Sequence, residues 1–263
     1  MKEVSKELSV NVAAVLKKLL RGEMTLEEAE RKLVALNVRR IRQLARLDVD
    51  RTHRTGVPEV VLADGKSPEI VAKAAEAMAQ ASGYALVTRL QDAHLRAIRA
   101  KLRTKFELEH NPQARTVLLK KRSHVFPKCG KVGVLAAGTS DVPVAEEAAV
   151  VAGVMGCEVL KAYDVGVAGI HRLFEPLENM MKAGVSAIVV AAGMEGTLPS
   201  LVASLVDIPV IGVPTSTGYG VGGKGLAALL TMLQSCSPGL TVVNINNGFG
   251  GGVAAALIAR RAK

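Results

Sequence analysis

Tryptophan is missing from this 263-residue sequence, aromatic residues make up only 3% of it, and cysteine occurs three times. Three cysteines are too few, and odd in number, for the disulfide framework of a small secreted protein; a reducing, cytoplasmic setting is expected. They show no CxxC spacing and no histidine pairs with them at metal-ligand spacing, so no structural zinc site is expected. Long apolar runs are missing as well. No stretch reaches the roughly 18 uncharged residues of a membrane span, and Met1 is followed by Lys2 and Glu3 where a signal peptide would turn apolar. The expectation is a protein neither membrane-embedded nor secreted. What is present, 49% hydrophobic residues, 22% charged and no low-complexity tract, suits one large or two small globular domains with a buried core.

Charge and glycine are unevenly spread. Residues 1–128 hold 26 Lys and Arg against 15 Asp and Glu, whereas residues 129–263 hold 8 against 9, so the net charge of +10 resides in the N-terminal half. Glycine runs the other way, with 4 before residue 129 and 21 after it. The shift near Pro127-Lys128-Cys129-Gly130 marks a boundary between two domains; the first half is expected to divide into a helical N-terminal segment and connector (1–56) and a small α/β domain (57–128), followed by a glycine-rich second domain (129–263). The basic half lacks aromatic-basic interleaving, zinc-finger spacing and RNA-recognition signatures. No nucleic-acid partner is expected; the charge suits a solvated surface or attraction for an anionic small substrate.

Within the first half, Thr25-Leu26-Glu27-Glu28 is a capping box opening a helix to about Leu36, and the first forty-odd residues read as a helical hairpin. Val60–Ala63 reads as a strand. Ser67-Pro68-Glu69 joins an N-cap, a proline at the first helical position and an acid at the positive helix end, predicting a helix to about Ala81. Tyr84–Thr88 and Gln91–Arg103 follow as strand and helix. In the second half, β-branched runs alternate with helical stretches, with strands expected at Lys131–Ala136, Glu158–Tyr163, Ala187–Ala191, Val210–Val213 and Thr241–Asn244. Five βα repeats predict an α/β fold with a parallel sheet, covered on both faces and joined by right-handed crossovers. Ligands bind such sheets at the carboxyl ends of the strands, so the loops there are the candidates.

The first of these loops, Gly138-Thr139-Ser140-Asp141, allows close backbone approach and leads into a helix start, which suits a phosphate cradle or a plain capping loop. His171 and Arg172 follow the second strand: an imidazole able to move protons near neutral pH and a guanidinium able to hold phosphate or carboxylate, or else an ordinary interior histidine. Gly193-Met194-Glu195-Gly196 sets one carboxylate between glycines at a strand end. That place suits a general base with a pKa raised by burial, or mere complementarity to a helix N-terminus. Thr215 and Ser216 open a glycine-rich loop, and Asn244-Ile245-Asn246-Asn247-Gly248 offers amides after the last strand. Cys129 and Cys157 read as buried, inert small hydrophobes.

Read together, the loops resemble the PurE superfamily of aminoimidazole ribonucleotide carboxylases and mutases, through Gly138-Thr139-Ser140-Asp141-Val142-Pro143 and His171-Arg172. Gly193-Met194-Glu195-Gly196, Pro214-Thr215-Ser216, Ser235-Cys236-Ser237-Pro238-Gly239 and Asn244-Ile245-Asn246-Asn247-Gly248-Phe249-Gly250 are similar to its LarB family, the pyridinium-3,5-biscarboxylic acid mononucleotide synthases. Leu47-Asp48, Arg51, Arg54, Gly56-Val57-Pro58-Glu59 and Gly65-Lys66-Ser67-Pro68-Glu69 extend that resemblance upstream. The resemblance implies a PurE-like three-layer domain, flavodoxin-like or Rossmann-like, and an octamer in which the small-residue stretches Leu226-Ala227-Ala228 and Val253-Ala254-Ala255-Ala256 could pack between subunits. Ordinary packing within one subunit is the alternative.

It also implies the reaction: carbon dioxide adds to pyridinium carbon 5 of nicotinic acid adenine dinucleotide, and the phosphoanhydride is cleaved to release AMP. The product is the first intermediate of the nickel-pincer nucleotide cofactor of lactate racemase. An electron-poor ring cannot attack carbon dioxide unless a nucleophile first adds to it, which gives Cys236 a role as thiolate. Glu195 or His171 then removes the carbon 5 proton, with Glu195 favoured. Arg172 and the Gly138–Asp141 loop are expected to hold carboxylate or phosphates, with Gly193, Met194, Thr215, Ser216, Asn246 and Asn247 as further substrate contacts. No tightly bound cofactor or metal is expected; phosphoanhydride cleavage leaves room for a Mg2+, though no ligand cluster for it is visible. The rival readings are an aminoimidazole ribonucleotide carboxylase or mutase, whose electron-rich ring needs no thiolate, and a non-catalytic nucleotide-binding module.

Overall fold

The computed structural model describes residues 12–34, 38–41, 45–48 and 51–262. The chain forms two compact units. The first begins with two helices, α1 (Val12–Leu20) and α2 (Leu26–Val34). Reciprocal bonds between Thr25 and Glu28 start α2: the Thr25 N–H donates to the Glu28 carboxylate, and the Glu28 N–H to the Thr25 hydroxyl. An antiparallel pair follows, β1 (Val38–Ile41) with β2 (Ala45–Asp48), then a short helix α3 (Arg51–Thr55). The helical reading of the first forty-odd residues is therefore corrected at Val38–Ile41, which is a strand paired with Ala45–Asp48; residues 1–11, 35–37, 42–44 and 49–50 of the expected helical segment and connector lie outside the described ones.

A second sheet has the order β3 (Val60–Leu62), β4 (Tyr84–Thr88), β6 (Thr116–Lys120), β5 (Glu107–Asn111). Helix α4 (Pro68–Ser82) starts at the proline and ends where Gly83 takes a left-handed φ of 86°; α5 (Asp92–Leu102) packs against it. Strands β5 and β6 were not anticipated. The domain boundary also differs from the expected break after residue 128: Thr88–Gln91 and Glu109–Val117 fold with the second unit.

That second unit contains β7 (Lys131–Ala136), β8 (Glu158–Tyr163), β9 (Ile188–Ala192), β10 (Val210–Pro214) and β11 (Leu240–Val242), all parallel, in the order β11-β10-β9-β7-β8. Helices α6 (Val142–Val154), α7 (His171–Lys182), α8 (Leu198–Leu205), α9 (Leu226–Leu233) and α10 (Gly248–Arg261) connect and cover them. This is the doubly wound, flavodoxin-like arrangement. Strand order reverses between β7 and β9, so the crevice for a ligand opens at their carboxyl ends.

One layer of core gathers Leu135, Leu173, Met180, Ile188, Val190, Leu198, Val202 and Met232. On the opposite layer α10 runs very close to α6 and the sheet, because its contact face is glycine and alanine. A Cβ on Gly252 would stand 2.4 Å from the Ala148 carbonyl oxygen, and one on Gly251 2.7 Å from Val213. Ala228, Ala255 and Ala256 are fully buried within the chain, whereas Leu226 of the same stretches is 54% exposed. Cys129 and Cys157 are buried as expected but are not inert: the structure joins them in a disulfide, with Cα atoms 5.1 Å apart. The adjacency of β7 and β8 places the residues just before each strand side by side, which a sequence separation of 28 conceals.

The close α6–α10 approach predicts opposite outcomes at two glycines. Gly252→Val should lose about 1–3 kcal/mol in chemical denaturation. Gly153→Ala, where an added Cβ meets nothing within 4 Å, should gain about 0.5–1 kcal/mol by restricting the unfolded chain and favouring helix.

Candidate active site

The carboxyl ends of β7, β9, β10 and β11 deliver four loops that hydrogen bonds lace together. Asp141 closes the loop after β7. Its carboxylate, 4% exposed, accepts the Gly138 N–H at 2.9 Å and the Thr215 hydroxyl at 2.5 Å. It thereby ties the β7 loop to the end of β10. Thr217 donates to the Ser140 carbonyl at 3.3 Å and accepts, through its own carbonyl, the Met194 N–H at 2.9 Å. The loop after β9 is thus joined to the same cluster. Gly193 is required at that junction, since a Cβ there would lie 2.5 Å from the Thr217 carbonyl oxygen.

Asn246 completes the ring of loops. Its side-chain oxygen accepts the Ser216 N–H and its amide nitrogen donates to the Ser216 hydroxyl, both at 2.8 Å. Its own N–H reaches the Pro214 carbonyl at 2.8 Å. Asn247 instead caps α10 by accepting the Gly250 N–H. Met194 and Asn246 both hold left-handed backbone, φ 50° and 55°, a conformation asparagine adopts readily but a methionine keeps only where its surroundings enforce it.

Within one chain, then, Gly138, Thr139, Ser140, Asp141, Gly193, Met194, Glu195, Thr215, Ser216 and Asn246 lie at one edge of the sheet, with Thr139, Ser140, Met194, Glu195 and Ser216 exposed there. His171 and Arg172 begin α7 at the same edge beyond β8. The Arg172 guanidinium pairs with Asp164 and bonds the Gly169 carbonyl, so its charge is already engaged by a carboxylate. Glu195 is exposed, and the burial anticipated for it is not supplied by a single chain. Cys236 stands apart. It is free and exposed, but it lies between α9 and β11 and therefore at the amino edge of the parallel sheet, opposite the edge that carries the loop cluster. Among the described residues no group of three His, Cys, Asp or Glu is placed to hold a metal ion.

Two buried acids escaped the sequence reading. Glu146 and Glu147 are adjacent on α6, an otherwise apolar helix. Burial pushes the Glu146 carboxyl up, but hydrogen bonds from Lys161, Tyr163 and Asn111 outweigh it and hold the group below its ordinary value. Glu147 is raised, because burial outweighs the Phe249 and Gly248 N–H groups and the charges of Arg89 and Arg115. Two acids side by side in an apolar helix were the available signal.

Comparison with known proteins agrees with this fold. Residues 39–122 match a family profile described as the LarB/PurE-like N-terminal domain, and residues 131–263 match AIR carboxylase. The chain belongs to the LarB-like PurE/AIR carboxylase superfamily. An uncharacterized protein of Methanocaldococcus jannaschii is 48% identical over 241 residues, covering 91% of this chain and 93% of that protein. The N5-carboxyaminoimidazole ribonucleotide mutases of Thermotoga maritima and Pyrococcus abyssi are 33% and 36% identical, each over 49% of this chain and over 74% and 71% of their own lengths. In this LarB-like chain the AIR carboxylase portion alone carries Asp141, Glu195, Thr215, Asn246 and Cys236.

The depressed Glu146 carboxyl sets a pH dependence. Its contribution is complete above the ordinary value of 4.5 and is lost as pH falls through the lower folded value. The stability advantage of the native protein over Glu146→Gln should therefore be about 1–3 kcal/mol near neutrality and shrink below about pH 4, as followed by denaturation at stepped pH.

Proposed function

We propose that the protein carboxylates nicotinic acid adenine dinucleotide at pyridinium carbon 5 and hydrolyses its phosphoanhydride, yielding pyridinium-3,5-biscarboxylic acid mononucleotide and AMP. The observation that carries this reading is the pairing of a LarB-type N-terminal domain with an AIR carboxylase domain whose loops present Glu195. The chemistry needs a nucleophile, and Cys236 is the free thiol available. Its thiolate adds to a ring carbon next to carbon 5, converting the pyridinium to a neutral dihydropyridine. The enamine so formed attacks carbon dioxide through carbon 5, and positive charge returns to the ring nitrogen. Glu195 takes the carbon 5 proton, the electron pair re-forms the enamine, and expulsion of the thiolate restores the aromatic ring. His171 is the other candidate base. Water attack on the phosphoanhydride releases AMP, with the Gly138–Asp141 loop and Ser216 placed to contact phosphate oxygens.

Base and nucleophile must touch one ring, yet Glu195 and Cys236 occupy opposite edges of the sheet in a single chain. The reading therefore requires the thiolate to come from a second copy, consistent with an octamer. Support comes from α9, whose Leu226, Leu230 and Leu233, 54%, 51% and 62% exposed, form an outward apolar stripe that ends three residues before Cys236. The product would enter nickel-pincer nucleotide synthesis for lactate racemase.

The similarity to N5-carboxyaminoimidazole ribonucleotide mutases favours a second reading, turnover of an aminoimidazole ribonucleotide. Mass spectrometry after incubation with isotopically labelled bicarbonate, with each substrate in a separate tube, separates the two. AMP and a labelled biscarboxylated mononucleotide are expected from the dinucleotide; turnover confined to the aminoimidazole tube would transfer the protein to the second reading.

A further inference from the structure

Arg89 follows β4 directly, within the stretch matched by the N-terminal family profile, yet it folds with the second unit. It holds a left-handed φ of 54°, and Arg115, on the turn between β5 and β6, holds one of 52°. The two positions clamp each other. The Leu90 N–H donates to the Arg115 carbonyl at 2.8 Å, and the Arg115 Nε–H donates back to the Leu90 carbonyl at 3.0 Å. Backbone held off its preferred conformation at two facing residues aims the Arg89 side chain in one direction. There its guanidinium donates to the Asn246 carbonyl at 3.2 Å.

The guanidinium is kept in place by charge as well. Glu147 is 6% exposed, receives the Phe249 N–H at 3.2 Å and lies within electrostatic reach of both arginines. A planar guanidinium with several fixed donors can face this carboxylate and a carbonyl at once, which an ammonium does less well. Asn246, in turn, spends its main-chain N–H on Pro214 and both side-chain groups on Ser216. Arg89 is the described side chain that donates to its carbonyl.

We propose that Arg89 is a positioning residue: by gripping the Asn246 carbonyl it sets the Asn246 amide, and through it the Ser216 N–H and hydroxyl, at the lip of the active site. The glutamate behind it is the counter-charge that holds the guanidinium there. Ser216 then grips a non-reacting part of the substrate, so loss of Arg89 weakens binding and leaves the chemical step intact. The inference rests on the proposed reaction for the choice of substrate, whereas its geometry does not.

Arg89→Met keeps the side-chain stem and removes the guanidinium; Arg89→Lys restores a single donor group. Hydrogen exchange followed by mass spectrometry reads the Ser216 and Asn246 segments without any substrate, and steady-state kinetics with nicotinic acid adenine dinucleotide reads KM and kcat. Arg89→Met should raise exchange at residues 214–218 and 244–248 by about tenfold or more and raise KM by a similar factor, with kcat within about threefold. Arg89→Lys should recover part of both. Unchanged exchange and KM in Arg89→Met would overturn the proposal, as would exchange rising equally throughout β7 and β9, or a loss that Arg89→Lys does not lessen. Failure of the proposed reaction looks different: the native protein leaves the dinucleotide untouched, while Arg89→Met still loosens Ser216 and Asn246 and upholds the positioning role.

Discussion

The Asp141 carboxylate is the interaction on which the arrangement of the site depends. It is withdrawn from water almost entirely, at a cost that only its bonds to the Gly138 N–H and the Thr215 hydroxyl offset. Those two partners belong to loops following β7 and β10, separated in the sheet by β9. Satisfying one buried charge therefore draws together loops from strands that do not touch. Thr217 extends the link to Ser140 and Met194, and Asn246 to Ser216, so that four loops become one surface.

What that surface lacks is as informative as what it holds. It gathers a carboxylate, hydroxyls, amides and glycine-lined backbone at the switch point of a doubly wound sheet, but a parallel topology leaves Cys236 at the far edge. A PurE-type domain acting on an electron-rich ring needs no thiolate, whereas a pyridinium needs one. The proposed reaction has the same fold change chemistry by borrowing a residue across an interface between copies, a role proposed for the exposed leucines of α9, three residues before Cys236.

Much of the fold was readable from local pattern. Tyr84–Thr88, Lys131–Ala136 and Glu158–Tyr163 are strands at the expected residues because continuous apolar or β-branched runs flank turn signals, and α4 starts where Ser67-Pro68 said it would. Strand β5 was not readable: Glu107-Leu108-Glu109-His110-Asn111 is polar and mostly exposed, and only pairing with β6 makes it extended. Strands β1 and β2 hide for a related reason, since Val38-Arg39-Arg40-Ile41 and Ala45-Arg46-Leu47-Asp48 carry charge where a buried strand would not. At the site, residue types and spacing picked out loops that the parallel sheet brings to one edge, but could not show that Arg172 is paired with Asp164, or that Cys129 meets Cys157. Those are facts of tertiary proximity. The edge on which Cys236 falls, by contrast, follows from element order alone once the sheet is parallel.

The most direct test of the account mixes subunits. Cys236→Ala and Glu195→Gln, each expected to be inactive alone, are co-expressed with different tags and the hybrid assemblies isolated. If thiolate and base come from different chains, random pairing restores intact sites and about a quarter of native turnover. Complete absence of activity in well-assembled hybrids would show that both groups must belong to one chain, and would contradict the shared site.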